Sequence, residues 1–126
     1  MVADTYLSVA TPVQVAAPSL LERRDVLQAP IKARVAENLA ALRRALAAGS
    51  HATLLEPEGG WSAVLRVPAT STEEERVLRL LEVHGVLVHP GYFFDFPKEA
   101  FLVVSLLTPH AEFREGIGRV LRDAVL

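Results

Sequence analysis

The sequence predicts an α+β domain: a small, mostly antiparallel sheet of three to four strands with helices packed on it, preceded by a long N-terminal helical segment. Three observations point there. Apolar residues recur at helical spacing over 31–46, 77–84 and 113–124. Between these stretches lie short apolar or alternating runs, 51–57, 61–68, 86–90 and 100–107, at strand length. Glycine and proline separate nearly all of them. A chain of 126 residues suits one domain with a modest core.

The elements follow in order. "MVADTYLSVATPVQVAAP" carries no strand or helix signal before Thr11 and reads as a connecting segment. Thr11-Pro12 offers an N-cap followed by proline at the first helical position. Pro18 and Pro30 interrupt the pattern, so two helical pieces or a kinked helix are expected before residue 30. Ile31, Val35, Leu39, Leu42 and Leu46 then form one helical face, with Arg34, Glu37, Arg43 and Arg44 elsewhere on the wheel. Gly49 ends this helix. "HATLLEP" is a short strand, and "EGG" a turn. In "WSAVLRVP", Trp61, Ala63, Leu65 and Val67 alternate with Ser62, Val64 and Arg66, which fits a strand with one face better buried.

The next helix is well marked. Ser71 and Thr72 can cap it, with Glu74 and Glu75 three residues after each. The acidic triplet Glu73–Glu75 suits a solvated helix start at the positive end of the dipole. Val77, Leu80, Leu81 and His84 give its inner face, and Gly85 closes it. "VLVHP" and "AFLVVSLL" are strands flanking a loop that holds Tyr92, Phe93, Phe94 and Phe96. Thr108-Pro109 starts the final helix, whose face is Phe113, Ile117, Val120, Leu121 and Ala124.

Composition removes several functions. The formal net charge is −2 and no basic patch with interleaved aromatics occurs, which disfavours nucleic acid and anionic membranes as partners. With no cysteine there is no disulfide and no thiolate metal site, a usage that fits a cytoplasmic protein. No basic segment precedes an apolar one at the N-terminus, so no signal peptide is read there. The apolar run 101–104, extended through Ser105 to Leu107, is far too short to span a bilayer.

Motifs of chemistry are few. The four histidines, at 51, 84, 89 and 110, form no pair at metal-ligand spacing, so no metal site is assigned. No nucleophile elbow, Walker loop or dinucleotide fingerprint is present. Gly59-Gly60-Trp61 reads as a tight hairpin turn. His89 stands out because it ends a strand just before Pro90-Gly91, where proline stops a ladder and glycine permits an unusual turn. The aromatics that follow either cover the core or form one wall of a site.

Three stretches together resemble the C-terminal part of class I/II aminotransferases, the pyridoxal-phosphate enzymes of fold type I. "DTYLSVATPVQVAAP" is similar to the segment joining that family's large and small domains. "EPEGGWSAVLRVP" with its capped helix resembles the small domain's glycine-aromatic turn and strand. "GVLVHPGYFFDF" with "FLVVSLLTPHAEFREGIGRVLRDAV" is similar to the family's Pro-Gly loop, closing strand and last helix. The resemblance implies a linker at 1–11 from a large domain that precedes it, and a small domain at 12–126 that closes over the substrate. Gly60, Trp61, His89, Pro90, Gly91 and Tyr92 are then the substrate-side loop candidates.

The resemblance also marks what is missing. The family's Schiff-base lysine and its ring-pairing aspartate lie in the large domain; Lys32 and Lys98, the two lysines here, lack the family's surroundings. No catalytic or cofactor-binding residue is therefore assigned, and the isolated chain is expected to be inactive. Pyridoxal phosphate, amino and keto acid substrates, and a homodimer belong to the full-length parent. Many members place a carboxylate-clamping arginine two residues before a strand serine; here Ser105 puts Val103 at that position. Either the register differs, or another arginine such as Arg66 substitutes, or the parent handles an unusual substrate. A lyase or an aminotransferase-like regulator module would share the fold. The competing reading is a free-standing ligand-binding or dimerisation module, which predicts a closed surface and a pocket wholly within the chain.

Overall fold

A computed structural model describes residues 9–98 and 100–124. The proposed linker at 1–11 falls largely outside these. Two compact units emerge, Met1–Lys32 and Ala33–Leu126.

In the first unit, helix α1 spans Thr11–Glu22 and buries none of its residues. Thr11 is helical and Ala10 is the capping residue, with no side-chain cap bond; the expected threonine cap is thus replaced by proline in the first turn. The chain breaks at Arg23, not at either proline: Pro18 sits inside α1 and Pro30 inside α2, Arg24–Ala47. Two helical pieces do begin before residue 30, but the second runs unbroken through Pro30 into the stretch expected to form a separate helix from Ile31.

In the second unit, the C-terminal part of α2 contributes Asn38, Ala41 and Leu42 to the interior. Ile31, placed on the inner face by spacing, is instead 46% exposed. Gly49 follows the helix with φ of +105°, and the N–H of Ser50 returns to Leu46 O. Strands β1 (Thr53–Leu55), β2 (Ser62–Arg66), β3 (His89–Pro90) and β4 (Phe101–Ser105) form one antiparallel sheet ordered β1-β2-β4-β3. Between β2 and β3 runs α3, Glu73–Glu82; after β4 comes α4, His110–Asp123. The α+β class and the sheet size are as predicted.

Strand alternation assigns the two faces. Ala63 and Leu65 of β2 and Leu102 and Val104 of β4 point into a core shared with Leu42, Leu80, Phe113, Ile117 and Val120. The opposite face carries Ser62, Val64 and Arg66 beside Ser105, Val103 and Phe101. Burial of the aliphatic side chains at about 25 cal/mol per Å2 is the main stabilising term.

Helix α3 departs from its expected face. The capping box forms as predicted, with the Thr72 hydroxyl accepting from Glu75 N and the Glu75 carboxylate from Thr72 N. Gly85 closes the turn at φ of +62°. But Leu81 is 46% exposed and His84 half-buried, while Glu73, Arg76 and Leu80 are buried. Arg76 donates to Asp123 Oδ2 at 3.0 Å, to Pro68 O at 2.9 Å and to Thr70 Oγ1 at 2.8 Å. Asp123 also accepts from Arg79 Nε at 2.6 Å, and these guanidinium contacts hold its carboxyl below the usual carboxylate range. This buried cluster ties α3 to the end of α4.

The stretch "VLVHP" pairs only at His89 and Pro90. Residues 85–88 form no strand, and a cavity of about 340 Å3 opens beside Val86, Val88, Phe113 and Ile117.

Candidate functional site

The Pro-Gly turn is built by proximity to α3. After Pro90 ends the ladder, residues Gly91–Phe94 form one 3₁₀ turn, closed by Asp95 in the left-handed region. Gly91 has no positive φ; it is needed because a Cβ there would lie 2.7 Å from Phe101 Cβ and 2.9 Å from Glu73 Oε1. The reason for this glycine is thus close approach and not the special turn expected from sequence.

Glu73 is the side chain that closes this contact. Its Oε2 accepts from Tyr92 N at 2.9 Å and its Oε1 from Phe101 N at 2.7 Å. A carboxylate read as solvated is therefore buried, 3% exposed, and bridges the 3₁₀ turn to the first residue of β4. Two backbone donors stand in for the water that the carboxylate loses on burial.

The turn presents its rings outward. Tyr92, Phe93 and Phe94 are 49%, 63% and 52% exposed. Tyr92 meets Phe93 edge to face at 4.9 Å, and exposed His89 lies 6.2 Å from both Phe93 and Phe94. Phe96 is half-buried and packs at 4.6 Å on Phe101, on the sheet face opposite the core. None of the four aromatic side chains joins the core: Phe96 is half-buried and the other three rings lie on the surface.

The remaining candidates fall elsewhere. Gly60, with φ of +81°, and exposed Trp61 precede β2; Trp61 O accepts from Leu106 N at 2.7 Å. This places them at the Ser105 end of the sheet, whereas Gly91 lies beyond the Leu102 end, some five residues away along β4, or roughly 17 Å at about 3.3 Å per residue. The structure brings His89, Pro90, Gly91 and Tyr92 together and leaves Gly60 and Trp61 apart. Val103 is buried on the outer face, in register between Val64 and His89. Arg66 is exposed two positions along β2 on that same face.

Lys32 and Lys98 are both exposed. The buried aspartate, Asp123, is engaged by Arg76 and Arg79. Among the described residues no group of three or more histidine or acidic side chains could hold a metal, and no helix is long and apolar enough to cross a membrane.

No family model matches the chain. Over 66 residues, 52% of this chain, it is 33% identical to LL-diaminopimelate aminotransferase of Nitratidesulfovibrio vulgaris, of which it spans 17%. Its fold is similar to a probable N-succinyldiaminopimelate aminotransferase of Thermus thermophilus, with a TM-score of 0.61 at 27% identity, over 71% of this chain and 23% of that one. It is likewise similar to LysN, the α-aminoadipate aminotransferase of another strain of Thermus thermophilus, with a TM-score of 0.68 at 22% identity, over 89% of this chain and 29% of that one. The chain thus spans 17% of the curated relative and 23–29% of the solved structures that it resembles.

Proposed function

We propose that this chain, similar in sequence and fold to a segment of aminotransferases, is the C-terminal small domain of a pyridoxal-phosphate-dependent aminotransferase. Its role there is to pack on a large domain and to close the substrate site with the His89–Phe94 turn. The observation that carries this reading, beside the similarity itself, is the apolar surface of the first unit. Val15, Leu20, Leu21, Val26 and Leu27 are 56–77% exposed, and no residue of α1 is buried. A free-standing module gains nothing from so much apolar helix surface, whereas a docking segment requires it. The outward rings of Tyr92, Phe93 and Phe94 fit the same role, as apolar groups that exclude water from a shared site.

The residues present do not fit the cofactor. An internal Schiff base needs a lysine held in a shielded pocket with an acidic partner for the pyridine nitrogen. Lys32 and Lys98 are exposed, and Asp123 is already engaged by arginines. The 126-residue chain is thus inactive alone, and the lysine and aspartate belong to the large domain. Val103 offers no donor at the carboxylate-clamp position that the resemblance gives it, so on this reading either the register differs, or another arginine such as Arg66 takes over, or the parent handles an unusual substrate. A homodimeric, cytoplasmic parent acting on an amino acid and a keto acid completes the proposal.

The test is borohydride trapping. With pyridoxal phosphate, the 126-residue chain should yield no stoichiometric reduced adduct, whereas the product of the whole coding sequence should yield one at a lysine outside this chain. A stoichiometric adduct at Lys32 or Lys98, or transamination by the chain alone, would overturn the reading.

A further inference from the structure

Strand β3 stops short of the partner it faces. His89 pairs with Val103 and Pro90 with Leu102. The same register continued toward Gly85 would set Leu87 against Ser105. Residues 86–88 keep the alternation of a strand, with Val88 buried and Leu87 70% exposed. Yet Leu87 lies in no strand, and its main chain hydrogen-bonds no described residue. The cavity of about 340 Å3 takes the place of the missing rung, and Leu87 and Ser105 both line it.

Main-chain direction fixes what Ser105 offers. Just beyond the two ends of β4, Val67 N–H bonds to Ala100 O and Leu106 N–H to Trp61 O, so the even-numbered residues here turn their main-chain groups to β2. The odd-numbered residues turn the other way. Phe101 N–H goes to Glu73 Oε1 at 2.7 Å, Val103 faces His89, and Ser105 presents its N–H to the cavity with no strand there to receive it. Every residue of the lining segments, 85–88, 104–108 and 112–120, is among those described.

The walls narrow the ligand further. Val88, Phe113, Ile117 and Val120 are buried and make an apolar interior. Three charged side chains line the cavity, Glu112, Glu115 and Arg119. Arg119 donates to Glu115 and to His84 O, so those two charges offset each other. The Glu112 carboxylate has no hydrogen bond or ion pair with a described residue. The cavity thus holds one main-chain donor and one carboxylate acceptor beside an aliphatic interior.

We propose that this cavity binds a small molecule with an aliphatic body and a primary carboxamide head. The amide oxygen accepts from Ser105 N–H in place of the absent strand, and the amide NH2 donates to Glu112. An alkylammonium would satisfy Glu112 but brings no acceptor for Ser105 N–H. An alkyl carboxylate would accept from Ser105 but is repelled by Glu112. The volume lies at the low end of small-ligand sites, about 300–1,000 Å3, which suits a short body. The assignment uses this chain's own residues and holds whether or not the aminotransferase reading does.

The experiment is amide chemical-shift titration of the intact 126-residue chain with isovaleramide, isoamylamine and isovalerate at matched ionic strength. Isovaleramide should give saturable shifts at Leu87, Val88 and Ser105 with a Kd of about 1 mM, roughly tenfold tighter than the amine or the acid. Gly116→Leu sends a side chain into the cavity and should abolish these shifts. Its Cβ meets Val86 Cγ1 at an ordinary 3.8 Å, and leucine is the better helix former, so the remaining spectrum of α4 should persist. Glu112→Gln keeps an acceptor and removes the repulsion, so isovalerate should approach isovaleramide to within about threefold. Non-saturable or absent isovaleramide shifts, equal affinities for the three probes, binding retained in Gly116→Leu, or an unchanged amide-to-acid ratio in Glu112→Gln would each overturn the proposal.

Discussion

Replacing Glu73 by glutamine tests how the aromatic turn is held. The side chain keeps its size but exchanges one acceptor oxygen for an NH2 group. In the native protein Oε1 serves Phe101 N at 2.7 Å and Oε2 serves Tyr92 N at 2.9 Å, so either amide orientation sets one donor against another. A hydrogen bond to a charged group contributes about 1.5–3 kcal/mol, and a buried donor left without a partner costs about 1–3 kcal/mol. Glu73→Gln should therefore destabilise the fold by about 2–3 kcal/mol, and Glu73→Ala by somewhat more. Against a typical total of about 5–15 kcal/mol this is easily resolved by urea unfolding. Amide exchange supplies the local readout: Tyr92 or Phe101 should lose protection below the global opening free energy while the amides of α4 follow it. A Gln variant within about 0.5 kcal/mol of the parent, with both amides still protected, would refute the account.

Gly91→Ala should cost about 1–3 kcal/mol in urea unfolding, because the new Cβ would sit 2.7 Å from Phe101 Cβ, and an unchanged midpoint would contradict this. Ala100→Gly should stabilise the chain by about 1 kcal/mol by relieving its positive φ, as read from thermal or urea midpoints. Asp123 has a folded-state carboxyl held down first by its hydrogen bond from Arg79, so the stability it contributes is present above the ordinary value near pH 4 and is lost as pH falls through the lower folded value. Unfolding curves between about pH 5 and pH 2 should show this acid loss, and Asp123→Asn should remove that part of the slope while costing about 3 kcal/mol at neutral pH through the uncompensated Arg76 charge. A parallel pH dependence in the variant would refute the assignment.

Much of the fold was legible because apolar periodicity was clean where burial is one-sided. Phe113, Ile117, Val120 and Ala124 are all buried as their spacing requires, and the Thr72–Glu75 capping box forms as its sequence signature predicts. The misses concern charged residues and backbone approach. Glu73, Arg76 and Asp123 belong to types that normally remain in water, so reading by type put Glu73 on the surface. Their positions held a usable signal: Glu73, Arg76 and Leu80 share one helical stripe, at i, i+3 and i+7. Pro18 and Pro30 do not break the chain as proline suggests, since each sits inside a helix. At the candidate site, the turn at Pro90-Gly91 and its cluster of aromatics could be read directly. The separation of Trp61 from that turn could not, because it depends on strand register.

The Glu73 bridge has a mechanical consequence. It fastens the first turn of α3 to both ends of the segment that displays Tyr92, Phe93 and Phe94. Those rings are consequently not a floppy flap with an independent swing. Any displacement that carries the start of this helix carries the aromatic cluster as cargo.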